Sequence, residues 1–221
     1  MPITLDTSLP PSLYPLAWLI GSWEGSGALT APSPGTPDLR IEQQLVCSAQ
    51  EDGTLAWRST IHRIDAPAPL PPTSAFARSP QEQEPAAPGT GERSLLHRED
   101  GVWTVGDLLP GQDRGGAPGP ARPGGPAPPP RPGSPEGHLS HHLEARFERR
   151  GEDAETWHGE VRGPRLRLAL AGADGEVVAT RLFGYVSGHL MWLWEQRGPV
   201  PDGAAGETAL LPHLSLELHR A

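Results

Sequence analysis

From Arg165 to Leu170 the chain sets Leu166, Leu168 and Leu170 against Arg165 and Arg167. A repeat of two residues sends alternate side chains to opposite faces of a strand, so this segment predicts a strand with one buried face. Leu143, Ala145 and Phe147 alternate in the same way with Glu144, Arg146 and Glu148. Ile41 to Cys47 and Leu55 to Ile64 flank a turn at Glu51 to Gly53, which predicts a hairpin. Further strand-like runs are Gly101 to Val105, Trp157 to Val161, Val177 to Val186, His189 to Glu195 and Leu210 to Leu218. Turn residues separate them at Arg162-Gly163-Pro164, Gly172 to Gly175 and Ser187-Gly188. One short helical turn is expected around Leu13 to Leu19. About eight to ten short strands without helical crossovers predict an all-β, antiparallel up-and-down sheet. Closing that sheet into a barrel removes its exposed edges.

Two segments interrupt the pattern. The 221 residues include 28 Pro and 27 Gly, concentrated between positions 65–91 and 109–137. Pro lacks the ladder donor and Gly has no side chain to bury, so both segments are expected to be loops, the second disordered with polyproline character. The expected organisation is one barrel domain over 1–221 carrying two insertions. A Pro-rich tract is also a ligand for aromatic-grooved domains, which would make the chain an interaction module. Lys and Asn, whose codons are A-rich, are both absent. That bias favours a tolerated loop expansion.

All 18 basic side chains are therefore Arg, set against 27 acids for a formal charge of -9. Phosphate affinity needs clustered cations, so nucleic acid and anionic membrane are not expected partners. The single Cys47 excludes an internal disulfide and a Cys-rich zinc site, and suits a reducing cytoplasm. No apolar run approaches the roughly 18 residues that span a bilayer, and the first 25 residues lack a basic leader region. A cytoplasmic location is the expectation.

The chemical resource is nine His. His138, His141 and His142 form HxxHH, but no carboxylate or Cys completes a metal site there. His62, His158 and His189 fall within strands, where solvated or hydrogen-bonded roles are the default. His97 precedes two acids, Glu99 and Asp100, which could hold its ring in one tautomer. No nucleophile elbow, Walker loop, dinucleotide fingerprint or HExxH is present.

The run from Pro15 to Gly27 contains Gly21, Trp23, Gly25 and Gly27 in a GxWxGxG spacing, which resembles the opening signature of the nitrobindins, haem barrels related in fold to fatty-acid-binding proteins. Leu96 to Trp103 resembles that family's Leu-His-x-Glu-x-Gly-x-Trp run. Trp157 to Val161, Arg181 to Val186 and Leu190 to Trp192 resemble its later strands, and Leu211 to Ser215 its C-terminal segment. The resemblance implies a ten-stranded, antiparallel calycin-like barrel with one ferric haem b in an open surface cleft. It implies peroxynitrite isomerisation to nitrate and nitric oxide binding, with a homodimer left open. Carried over residue by residue, His213 is the proximal iron ligand and Thr36 a haem contact, while Gly21, Trp23, Gly25 and Gly27 are structural. The alternative is a haem-free barrel that binds an apolar small molecule or serves as a scaffold. Strict alternation through Leu214, Leu216 and Leu218 would turn His213 outward, unless a bulge near Pro212 redirects the chain or the haem lies at an outer surface.

Overall fold

The computed structural model describes residues 9–31, 36–68, 89–110, 139–200, 204 and 206–221. A short 3-10 helix, Pro11–Leu16, precedes strands β1 (Gly21–Leu29), β2 (Leu39–Ala49), β3 (Leu55–Pro67), β4 (Arg93–Leu108) and β5 (Ser140–Glu148). There follow β6 (Glu155–Arg162), β7 (Arg165–Ala171), β8 (Val177–Val186), β9 (His189–Pro199) and β10 (Thr208–Arg220). Every strand pairs antiparallel with its chain neighbour, and β1 pairs with β10 to close the barrel. The ten-strand expectation is met, and the alternating residues behave as their period requires. Leu143, Ala145 and Phe147 are buried while Glu144, Arg146 and Glu148 are exposed.

The two barrel ends differ. At one end lie the turn after β2, the turns at Gly163-Pro164 and Ser187-Gly188, and the 3-10 helix, whose Leu13 and Leu16 are buried. Ser187 and Gly188 both have positive φ, 51° and 92°, as a two-residue hairpin turn demands. Ser12 Oγ ties the helix to the β2–β3 turn by donating to the Gly53 carbonyl at 3.1 Å. The opposite end, the mouth, carries the connections after β1, β3, β5, β7 and β9.

The signature residues hold the seam. Gly25 and Gly27 face β10 so closely that a Cβ would strike the carbonyl oxygens of Glu217 and Ser215. Trp23 is buried, donates Nε1–H to the Leu19 carbonyl at 2.8 Å, and lies under the Arg220 guanidinium at 4.4 Å. Gly21 has φ 137° and sits against the same Arg220 side chain.

The first insertion begins later than expected. Residues 65–67, assigned above to a loop, extend β3, because Asp65 is anchored across the strand ends. Its carboxylate accepts from Thr90 N at 2.9 Å and Thr90 Oγ1 at 2.6 Å, and its carbonyl accepts from Gly91 N at 2.9 Å. Positions 69–88 of that insertion and 111–137 of the second lie outside the described residues. β4 is also longer than the Gly101 to Val105 run. Its first residues, Arg93 to Leu96, are exposed on both faces and so carry no two-residue rhythm.

Candidate functional site

His213 is the extra residue of a bulge. β10 pairs Pro212 with Glu195 and Leu214 with Trp194, leaving His213 without an opposite residue on β9. Its carbonyl instead accepts from Thr30 N at 2.8 Å, on the closing side of the barrel. The bulge reverses the outward orientation that strict alternation predicts. The His213 imidazole meets the indole of Trp194 edge to face, with ring centroids 5.0 Å apart. Trp194 is buried and shares the inner face of β9 with Leu190 and Trp192.

His213 is half-buried, and among the described residues neither ring nitrogen has a hydrogen-bond partner. Burial, and secondarily the charge of His97, pulls its pKa below the ordinary histidine value, so the ring is neutral near pH 7. A neutral imidazole with a free lone pair is the form that binds a metal. Beside it the buried Nε1–H of Trp194 also lacks an acceptor. Buried donors are ordinarily satisfied; those of Trp57 and Trp103 are orphaned too, deep in the barrel, so what sets this place apart is the free imidazole nitrogen beside the Trp194 donor.

A charged cluster underlies these rings. Arg181 on β8 and Glu99 on β4 are joined by two hydrogen bonds of 2.7 and 2.8 Å. The Arg181 guanidinium lies 4.3 to 4.5 Å from the ring centres of Phe147, Trp157 and Trp194. Arg149, on the β5–β6 connection, reaches Glu99 at 3.3 Å, Glu152 at 2.9 Å and Glu155 at 2.7 Å. His97 packs edge-on against Trp194 at 5.7 Å and places Nε2 3.3 Å from Glu99. Its expected carboxylate partner is therefore Glu99; Asp100 turns away to Arg58 at 2.9 Å.

Thr36 lies on the β1–β2 connection, at the same end as His213, and is exposed. His141 and His142 are consecutive on β5, so they face opposite sides, and His138 lies outside the described residues. Among the described residues no cluster of three or more His, Cys, Asp or Glu could hold a metal ion. His62 contacts Arg93 at 3.2 Å, His189 contacts Glu217 at 2.9 Å and His158 lies 3.8 Å from Glu144, as hydrogen-bonded or solvated strand residues. A concavity of about 720 Å³ lies on the outer wall of β1, β8, β9 and β10. Its lining includes Leu182, Met191 and Leu193 but not His213, so cleft and imidazole are on different surfaces.

Residues 12–117 match the model of the THAP4-like, heme-binding beta-barrel domain. A peroxynitrite isomerase of Leifsonia xyli is 30% identical over 230 residues, covering 99% of both chains. The chain belongs to the nitrobindin-like, haem-binding β-barrel family. A peroxynitrite isomerase of Micrococcus luteus is 31% identical over all of this chain and 88% of its own. A ferric nitrobindin-like protein of Beutenbergia cavernae is 29% identical over 87% of this chain and 89% of its own. The crystal structure of Rv2717c from M. tuberculosis superposes with a TM-score of 0.51 at 19% identity, over 97% of this chain and 99% of that one, and supports the barrel fold. The match to the THAP4-like domain model ends well before His213, so the bulge and the free imidazole are independent of it.

The donor set fits a haem. One neutral nitrogen lies at the mouth, with an indole at its side and the exposed leucines Leu95 and Leu96 on β4 next to His97. Sequence reasoning gave no role to Trp194, Arg149 or Arg181. The available signal was Arg181 between Ala179 and Phe183, a cation on a strand face otherwise apolar.

Proposed function

We propose that this barrel binds one haem b per chain at its mouth, with His213 as the residue that would hold the iron, and isomerises peroxynitrite to nitrate. Nitric oxide is the second small ligand. The observation that carries this reading is the bulge at Pro212–Leu214, which turns a partnerless, neutral imidazole inward beside Trp194. The relatives named peroxynitrite isomerase support the reaction. When bound, ferric haem would supply the Lewis acidity that the rearrangement needs.

The chain's own residues bind and orient. His213 offers its lone pair, its ring held edge-on by Trp194. The Trp194 Nε1–H is a donor for a polar group of the ligand. Exposed Leu95 and Leu96 offer apolar surface at the rim, where a planar macrocycle excludes water. Thr36 is proposed as a further contact from the β1–β2 connection. No protein general acid is required, because the cofactor carries the difficult step. A cytoplasmic site of action suits Cys47, a free thiol whose pKa burial raises. The domain is proposed to be a single one over 1–221.

The haem-free alternative draws on the outer groove, whose apolar lining would accept a small hydrophobic molecule. The rate of nitrate formation separates the two. Peroxynitrite mixed with haemin-loaded protein should form nitrate faster than with the haemin-free protein or with loaded His213→Ala. Equal rates in all three would reject the isomerase reading.

A further inference from the structure

Arg181 is 1% exposed and Glu99 2%, yet a buried ion pair is weak support for stability, because desolvation offsets much of its attraction. The pair reaches the mouth through His97. Burial pushes the Glu99 carboxyl up, but the Arg181 charge and the hydrogen bonds from Arg181 and His97 outweigh it and hold it well below the usual carboxylate range. Glu99 is therefore ionised and accepts hydrogen bonds only. An acceptor-only partner 3.3 Å from His97 Nε2 requires the proton on Nε2. In the neutral ring Nδ1 is then bare. Among the described residues nothing donates to it, and the His97 side chain, 18% exposed, lies at the mouth against the same indole as His213.

We infer that Glu99, clamped by Arg181, is a positioning residue that fixes His97 with Nε2–H turned inward and Nδ1 free to accept a hydrogen bond from the O–H of a ligand at the mouth. Such a site favours a small oxyacid, here peroxynitrous acid, over nitric oxide, which has no proton to donate. The ligand half of this inference rests on the proposed function; the tautomer half does not.

Nitrogen-15 imidazole spectra of the haem-free wild-type protein test the tautomer directly. At a pH high enough that the ring carries a single proton, His97 is expected wholly in the Nε2–H form, and an Nδ1–H ring would overturn the inference without recourse to any variant. Replacing the pair by apolar side chains in Glu99→Leu/Arg181→Met should keep the fold and release His97 into a mixture of tautomers. An unchanged tautomer in the folded double variant would overturn the clamp. In haemin-loaded protein, His97→Leu should slow peroxynitrite isomerisation about tenfold, the scale of one hydrogen bond, while nitric oxide affinity stays within about twofold. Equal losses for both ligands, or none for either, would overturn the ligand half. If the wild type takes up no haemin, the haem reading fails and the ligand half with it, whereas the haem-free spectrum still decides the tautomer.

Discussion

The two ends of the barrel are filled with the same aromatic residues and do opposite things. At the closed end Trp57 stacks on Trp103 with centroids 4.9 Å apart, and Phe183 stacks on Trp192 at 5.1 Å, with apolar neighbours around them. Trp192 Nε1–H is satisfied there by Gln43 at 2.8 Å, and Gln43 by Ser59 at 2.8 Å. At the mouth Trp194 is surrounded by His213, His97, Arg149 and Arg181, and its own N–H is left over. One end has spent its aromatic surface on itself; the other presents it to imidazoles and cations. Orphan indole N–H groups occur at both ends, on Trp57 and Trp103 as well as on Trp194, but among the described residues only the one at the mouth lies beside imidazoles with a nitrogen left over, those of His213 and His97.

The sharpest way to break this contrast is to truncate each end. Trp103→Ala should cost about 3–5 kcal/mol by opening a cavity among stacked rings. Arg181→Leu should cost a similar ~3–5 kcal/mol by stranding the Glu99 charge, yet Glu99→Leu/Arg181→Met should be neutral or up to ~4 kcal/mol stabilising. Urea unfolding reads all three. If the double variant loses as much as the single, the mouth cluster is a structural core like the closed end and the contrast fails.

The seam between the ends comes next. Gly27→Val would drive a side chain into the Ser215 carbonyl, two residues from His213, and should destabilise by about 1–3 kcal/mol. Thermal unfolding measures the loss, and haemin uptake by the folded fraction should weaken with it. A Val tolerated without loss would mean that β1 and β10 are less tightly apposed than their register indicates.

The smallest effect separates the ends by pH. His213 has a lowered pKa in the folded barrel, so on acidification the unfolded chain takes the proton first. The contribution of neutral His213 is fully present above its unfolded pKa of about 6.5 and is lost as pH falls through the lower folded value. Glu99 acts only in stronger acid: its contribution is present above the unfolded pKa of about 4.3 and is lost below it. Stability of the wild type minus that of His213→Gln should therefore decline between neutral pH and pH 5, whereas Trp103→Ala should show a flat difference over that range. A flat His213 difference would place that imidazole in solvent.

Much of this was legible in the chain. Strands with one buried face announce themselves by alternation, as Leu166, Leu168 and Leu170 do. The GxWxGxG spacing marked a seam because only Gly permits β10 to lie so close to β1. The site was legible only in part. The bulge depends on counting residues across β9, and Pro212 was its single local sign. The Arg181–Glu99 pair joins residues 82 apart, so no local pattern could reveal it. Arg93 to Leu96, exposed on both faces, gave β4 no rhythm to read.

The central claim is that one inward-turned imidazole holds the haem, and a haemin titration followed through the Soret band tests it most directly. Wild-type protein should saturate at one equivalent with a shifted, sharpened band, and His213→Ala, still folded by circular dichroism, should leave the spectrum of free haemin. Identical bands and stoichiometry in both proteins would contradict the account.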